Sequence, residues 1–370
     1  MTTQEPTSDP GTEFAYEPVR TAGLDVTLPL GEAPTYPRSC WWVAARSSNI
    51  GHDLTPVRVA GLDLVLYRTN EGRVVALDDA CPHRWMPLSG GMLEGDNVRC
   101  GYHGMTFDPS GTCIEVPSQE RIPGRMCVRS RPVVERSMWV WVWTGLAESA
   151  DPDDIPMIPG VGQSGWTTIG GEMPLAANYI RGHENVLDLS HFEYLHPGTV
   201  GTDAWTKVNP TISVDDGGLT VTRDLPNSPA APFAAAMGVE PGSLVDRQTV
   251  ATVPTPAVHI AETLVRSPAG EGDEFRQVIV HAFTPCDERT CRYFFLVARD
   301  WRVDDAELSA HLGAMTETVF AQDKVALEAI ELVALRSEFP AAEISVRVDR
   351  AGLQLRQFVR RLVDSDPCSR

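Results

Sequence analysis

The 370-residue sequence is short of several things, and each shortage closes off a class of protein. No run of 18 apolar residues occurs, so a membrane-spanning helix is not expected. No glycine-rich phosphate loop occurs either, so this chain is not expected to bind a nucleotide. Cysteine is sparse: the eight residues at 40, 81, 100, 113, 127, 286, 291 and 368 are too few and too unevenly placed for a disulfide scaffold. They suit a reducing cytoplasm in which some thiols bind metal. Basic residues are outnumbered, 31 Lys and Arg against 50 Asp and Glu, and the formal net charge of −19 argues against nucleic-acid phosphates and anionic lipid surfaces. The first ten residues lack the basic and apolar regions of an export signal. On these grounds a cytoplasmic chain with neutral or basic partners is expected, and a 42% hydrophobic content at this length is enough for two domains.

Residues 1–36, rich in Thr, Pro, Glu and Gly without periodicity, read as an arm. Over 37–147 short β-forming runs alternate with turns, among them Trp41–Ala45, Leu64–Arg68, Arg73–Leu77 and Met138–Trp143, which predicts an all-β domain. Alternation puts Trp139, Trp141 and Trp143 on one face of a packed sheet. The acidic, proline-punctuated stretch 148–160 reads as a linker. A second domain over 161–340 carries a helical stretch from about Ala177 to Leu195, five strand-like runs between 219 and 297, and a long amphipathic helix from about Asp305 to Leu335; a short tail, 341–370, follows. Strands and helices without βαβ alternation predict an α+β class.

Two constellations carry chemistry. Cys81-Pro-His83 and Cys100-Gly-Tyr-His103 place one thiol and one imidazole on each of two loops in the all-β domain. Structural zinc usually pairs like with like, whereas a mixed pair per loop suits a [2Fe–2S] cluster with two Cys on one iron and two His on the other. Here the sequence resembles the Rieske proteins, down to Arg84, the turn Pro87-Leu-Ser-Gly-Gly91, Gly104 and Phe107-Asp108. Met105 stands where many relatives carry an aromatic residue.

The second constellation is Asn185-x-x-Asp188-x-x-His191-x-x-x-x-His196. On one continuous helix Asn185, Asp188 and His191 share a face, and His196 lies about 140° away from it, so both imidazoles reach one ion only if the helix loosens before Pro197. Two histidines invite a carboxylate to complete a facial triad for Fe(II). Asp323, flanked by Phe320 and Leu327 on the apolar stripe of the last helix, is the candidate. Both constellations together resemble the catalytic subunit of a Rieske non-haem iron oxygenase, in the branch of vanillate and dicamba O-demethylases, over residues 37–335. Gln322 replaces an acid usual beside the ligand.

The resemblance implies that Cys81, His83, Cys100 and His103 hold the cluster and that His191, His196 and Asp323 hold iron, in a helix-grip catalytic domain with an antiparallel sheet. It further implies a head-to-tail homotrimer in which Asp188 bridges a cluster histidine of one subunit and an iron-ligating histidine of the next, with Asn185 near the iron. NADH, through a separate reductase or ferredoxin, would supply electrons, and dioxygen would be the co-substrate. The implied activity is monooxygenation of a small aromatic substrate, foremost O-demethylation releasing formaldehyde. N-dealkylation of an aromatic amide or amine, angular dioxygenation of a diaryl ether and, more distantly, a non-enzymatic electron-transfer or zinc-stabilised binding protein are the alternatives. An apolar pocket is expected from Leu187, Ile260, His281, Phe283 and Phe295. His281 either touches substrate or is a buried histidine satisfied by a sheet partner. No arginine or lysine is expected beside it, which favours a neutral or singly polar aromatic over a dianion.

Overall fold

The computed structural model describes residues 36–368 apart from 216, 269–273 and 337–342. The arm expected over 1–36 lies outside the described residues except for Tyr36. Ten short strands build the first domain: β1 (Trp41–Arg46), β2 (Thr55–Val59), β3 (Leu62–Arg68), β4 (Val74–Asp78), β5 (Met92–Glu94), β6 (Asn97–Arg99), β7 (Thr106–Phe107), β8 (Cys113–Glu115), β9 (Val133–Arg136) and β10 (Trp139–Trp143). They form three antiparallel sheets ordered β1-β10-β9, β2-β3-β4 and β5-β6-β7-β8. β10 is the middle strand of its sheet, and all five of its residues are buried, not one face alone. Its outer side is covered by the second domain, where Phe294 lies 6.5 Å from Trp139, ring to ring.

The second domain is built on one seven-stranded antiparallel sheet. Its strands are β11 (Thr167–Leu175), β12 (Thr211–Asp215), β13 (Gly218–Pro229), β14 (Leu244–Thr255), β15 (Val258–Arg266), β16 (Glu274–Pro285) and β17 (Cys291–Arg299), in the order β11-β17-β16-β15-β14-β13-β12. The five strand-like runs all lie in it. β11 was not legible, because Gly170, Gly171 and Pro174 are poor strand formers; pairing with β17 along its whole length supplies what propensity lacks. Even-numbered residues of the central strands (Ile260, Val280, Ala282, Phe294) join a core shared with the first domain. That contact is sealed by the Ala60 N–H donating to the Pro285 carbonyl and the Thr284 hydroxyl donating to the Val43 carbonyl, each at 2.7 Å.

The opposite face carries the helices α1 (Tyr179–Leu187), α2 (Phe192–Leu195), α3 (Ala204–Lys207), α4 (Ala306–Arg336) and α5 (Arg350–Ser365). α4 agrees with the expected last helix. The continuous helix expected over 177–195 does not form. α1 starts at Asn178, whose side-chain oxygen accepts from the Ile180 N–H, and ends where Asp188 turns to φ −105°, ψ 99°. The Asp188 carboxylate accepts from the Ser190 N–H and so opens a new 3₁₀ turn, Leu189–His191, before α2. The loosening therefore precedes His191 and is not confined to the residues before Pro197. α1 approaches β16 closely because Gly182 has no side chain: a Cβ there would lie 2.5 Å from the Phe283 ring.

The tail expected over 341–370 is corrected by α5, which buries Ala351, Leu355 and Val359 at helical spacing. Ion pairs tie three helices together: Arg181 of α1 donates to Glu331 of α4, a buried pair, and to Glu343, both at 2.8 Å, and Arg356 of α5 donates to Glu184 and, at 2.7 Å, to Glu343. Just past α5, Asp366 accepts from the backbone N–H groups of Arg38 and Ser39 and from the Ser39 hydroxyl, which fastens the end of the catalytic domain to the start of β1.

Candidate metal centres and substrate cavity

The two Cys/His loops of the first domain are near copies. In each, the cysteine N–H donates to the carbonyl five residues on (Met86 or Met105), and the N–H four residues on (Trp85 or Gly104) donates back to the cysteine carbonyl. Both residues at that fourth position take positive φ, 61° at Trp85 and 75° at Gly104. The loops touch: a Cβ on Gly101 would lie 2.7 Å from the Gly90 carbonyl oxygen. This places the buried thiols of Cys81 and Cys100 within hydrogen-bond reach of each other, and it turns His83 and His103 so that their Nδ1 atoms face across 3.2 Å. Burial pushes the Cys81 thiol up to about 11, so the thiolate is stable there only beside a cation. Two thiols facing each other and two imidazole nitrogens facing each other fit a Rieske cluster, which takes two cysteines on one iron and two histidines on the other. The far side of the histidine pair is open, flanked by Tyr102 and by Trp85, which is 77% exposed.

In the second domain the break at Asp188 brings His191 and His196 to one carboxylate. Asp323 Oδ1 lies 3.0 Å from His196 Nε2 and 3.3 Å from His191 Nε2, and three ligand atoms, one from each residue, fall within 4.8 Å of one another. Burial by itself would push the Asp323 carboxyl up; the two histidines overcome that and hold it at about 2. The outer nitrogens are fixed from behind. His196 Nδ1 meets Gln322 Oε1 at 2.7 Å, and His191 Nδ1 donates to the backbone carbonyl of Asp188 at 2.6 Å. Each Nδ1 thus carries the proton, leaving both Nε2 lone pairs for an ion, as a two-histidine, one-carboxylate site requires. The residue noted only as a departure, Gln322, is the one that orients His196. The carboxylate of Asp188 does not bond His191 here; it caps the following turn and sits near the Arg223 guanidinium.

A cavity of about 160 Å³ opens beside this triad, bordered by His191, Asp323, Phe320, Asn185 and His281 and walled by alanine, valine and aromatic side chains. An apolar cavity of roughly 150 Å³ holds a benzene, so this one suits a single substituted ring. His281 has a sheet partner and still lines the cavity. Its Nδ1 meets the Tyr293 hydroxyl at 2.6 Å while the residue borders the cavity, and burial holds the ring neutral, its pKa at about 3. The other expected pocket residues lie elsewhere. Phe283 stacks on Tyr293 at 4.5 Å and borders a small recess towards Asp323. Phe295 packs on Phe320 at 4.9 Å and over Gly171. Ile260 points to the first domain while Ala261 faces the cavity, and Leu187 lies in the core beneath the end of α1, its carbonyl taking the Arg223 guanidinium. Arg247, which was not expected in the pocket, borders the cavity away from His281. Its signal was parity: Val245, Arg247, Thr249, Ala251 and Val253 share one face of β14, and that face is the buried one.

Residues 40–130 match the Rieske [2Fe-2S] domain, and residues 175–365 match the vanillate O-demethylase oxygenase C-terminal domain. The iron-sulfur subunit of the toluene-4-sulfonate monooxygenase system of Comamonas testosteroni is 36% identical, the match covering 80% of this chain and 88% of that one. The oxygenase component of dicamba O-demethylase from Stenotrophomonas maltophilia is 32% identical over 80% of this chain and 88% of its own. Among solved structures, dicamba monooxygenase bound to 3,6-dichlorosalicylic acid superposes with a TM-score of 0.84 at 29% identity, covering 89% of this chain and 98% of that one.

Proposed function

This chain belongs to the Rieske non-haem iron oxygenases of the vanillate O-demethylase type, and from that premise we propose that it oxygenates a methyl group on a small aromatic substrate, foremost an aryl methyl ether. The observation that carries this reading is the convergence of His191, His196 and Asp323 on the wall of an apolar cavity sized for one ring. When bound, the cluster supplies single electrons and the mononuclear iron activates dioxygen, one oxygen atom entering the substrate and the other leaving as water. Cys81, Cys100, His83 and His103 would hold the cluster; His191, His196 and Asp323 would hold the iron. Oxygenation of O–CH₃ gives a hydroxymethyl ether, which collapses to a phenol and formaldehyde.

The chain's own groups prepare that step. Gln322 and the Asp188 carbonyl keep the two histidines in one tautomer and orientation. The apolar walls exclude water from the reacting methyl group. Asp188 would bridge, across a subunit boundary of a head-to-tail trimer, to a cluster histidine of the neighbour. Its support is the open face of His83 and His103 and the surface recess that Asp188 and His191 share with Arg181 and Glu184. A reductase fed by NADH completes the electron path. A second reading, hydroxylation of an arene methyl group to a benzylic alcohol, is favoured by the likeness to the toluene-4-sulfonate system.

The test supplies the iron-loaded enzyme with NADH and a vanillate-type reductase and measures dioxygen uptake and formaldehyde over a panel of methoxyaromatics, N-alkyl anilides and aryl-methyl compounds. Formaldehyde equal to dioxygen consumed on a methoxyaromatic is expected. Benzylic alcohol without formaldehyde would install the second reading, and absence of substrate-coupled uptake across the panel would reduce the chain to an electron carrier.

A further inference from the structure

Five arginines among the described residues are buried: Arg131, Arg181, Arg223, Arg247 and Arg299. Four have an acid at hand. Arg131 forms a two-pronged pair with Asp78, Arg181 pairs with Glu331 and Glu343, and Arg223 and Arg299 feel the charges of Asp188 and Asp305. Arg247 has none. Its hydrogen bonding among the described residues is limited to Nη2 donating to the Thr202 hydroxyl at 3.3 Å, its Nε has no partner, and its guanidinium lies over the Trp205 ring at 4.4 Å. The residue is only 9% exposed, and it borders the cavity that reaches the metal triad. A guanidinium withdrawn from water without a counter-charge is costly, and the cost is recovered when an anion arrives to accept its two-pronged donors.

Position adds a second constraint. Arg247 pairs with Val265 and Val265 with Phe275, whereas His281, beside Phe320 and Asp323, stands six residues further along β16. At about 3.3 Å per residue the two cavity ends are roughly 20 Å apart along the backbone. Two rings stand between Arg247 and His191: Trp205 and Phe192, with centroids 5.7 Å apart, and Phe192 is 4.9 Å from His191. We infer that Arg247 binds an acid group on the substrate ring, a carboxylate or a sulfonate, on the side of the ring remote from the carbon that is oxidised. The inference rests on the oxygenase reading above and names the substrate class within it.

Binding is measured without turnover, by equilibrium dialysis of the oxidised, iron-loaded enzyme against 4-methoxybenzoate, 4-methoxybenzenesulfonate, 2-methoxybenzoate and the uncharged 4-methoxybenzamide. The wild type is expected to bind at least one para acid ten-fold or more tighter than the amide and tighter than the ortho acid; the tighter of the two para acids identifies the group. R247M and R247Q are expected to lose that preference at least ten-fold while keeping cluster absorbance, iron content and amide affinity. Equal affinity for acid and amide in the wild type overturns the proposal even if neither variant folds, and so does an undiminished acid preference in a folded variant. Formaldehyde release is scored separately. Arg247-dependent acid binding without any oxygenation would sink the reaction reading alone, and oxygenation of neutral arenes with no acid preference would sink this proposal alone.

Discussion

The two metal-binding regions gather their donors in opposite ways. In the first domain, His83 and His103 are 20 residues apart, and each loop closes on its own backbone before it meets the other. In the second, His196 and Asp323 are 127 residues apart and meet only because α4 docks across the sheet onto the broken segment after α1. One site is a product of local turns; the other is a product of tertiary packing. The first should survive damage to the rest of the chain, and the second should report it.

The largest effect comes from removing a donor on each side. Asp323→Ala is expected to lose the mononuclear iron and more than about 1,000-fold of substrate-coupled dioxygen uptake while the visible absorbance and EPR signal of the cluster persist. Cys81→Ser is expected to do the reverse by metal analysis. Loss of both metals from Asp323→Ala would collapse the distinction. Next comes Asp188→Asn. Asparagine can still cap the 3₁₀ turn, and the backbone carbonyl still fixes His191, so both metals should remain while turnover falls roughly 100-fold for want of the carboxylate. Full activity would remove the bridging role.

A smaller loss is expected from Gln322→Leu, which takes the acceptor from His196 Nδ1 and should weaken iron binding about 10-fold in a chelator competition, with Gln322→Glu restoring it. A further effect is on acid stability. His183 and His281 are buried and neutral, their pKa values pulled down by burial to about 4 and about 3 from 6.5, and burial lowers His259 as well. The unfolded chain takes up these protons first. Their contribution is therefore complete above pH 6.5 and declines towards the folded values, at up to about 1.4 kcal/mol per pH unit for each histidine. All three sit in the catalytic domain. Urea midpoints followed by iron release should drop between pH 7 and pH 5 before cluster absorbance does; simultaneous loss would show a single cooperative unit.

Legibility follows the same division. The Cys/His loops could be read because everything that positions them lies within a few residues. The iron donors could be read as a motif, but not the break at Asp188, since nothing in local propensity distinguishes a helix that continues from one that an aspartate restarts. The pocket was read poorly for a definite reason. Much of the central strands is covered on both faces, one by helices and one by the first domain, so apolar residues occur at odd and even positions alike and alternation carries little information. Ile260 and Ala261 look alike in sequence and face opposite ways. β14 has a mixed pattern, and there the parity of Arg247 was available. α5 was legible too, at residues 351, 355 and 359, beneath a surface of arginines.

The Asp366 contacts make the two-domain fold nearly a closed ring. Its carboxylate holds the backbone of Arg38 and Ser39, so the beginning of the first domain and the end of the second occupy one place, and the remaining covalent connection between the domains is the stretch around 148–160. Topologically, the order of the domains along the chain is then arbitrary. A few residues joining 366 to 38, with the chain opened in that connection, would yield a circular permutant in which the iron domain is synthesised before the cluster domain without displacing a strand of either.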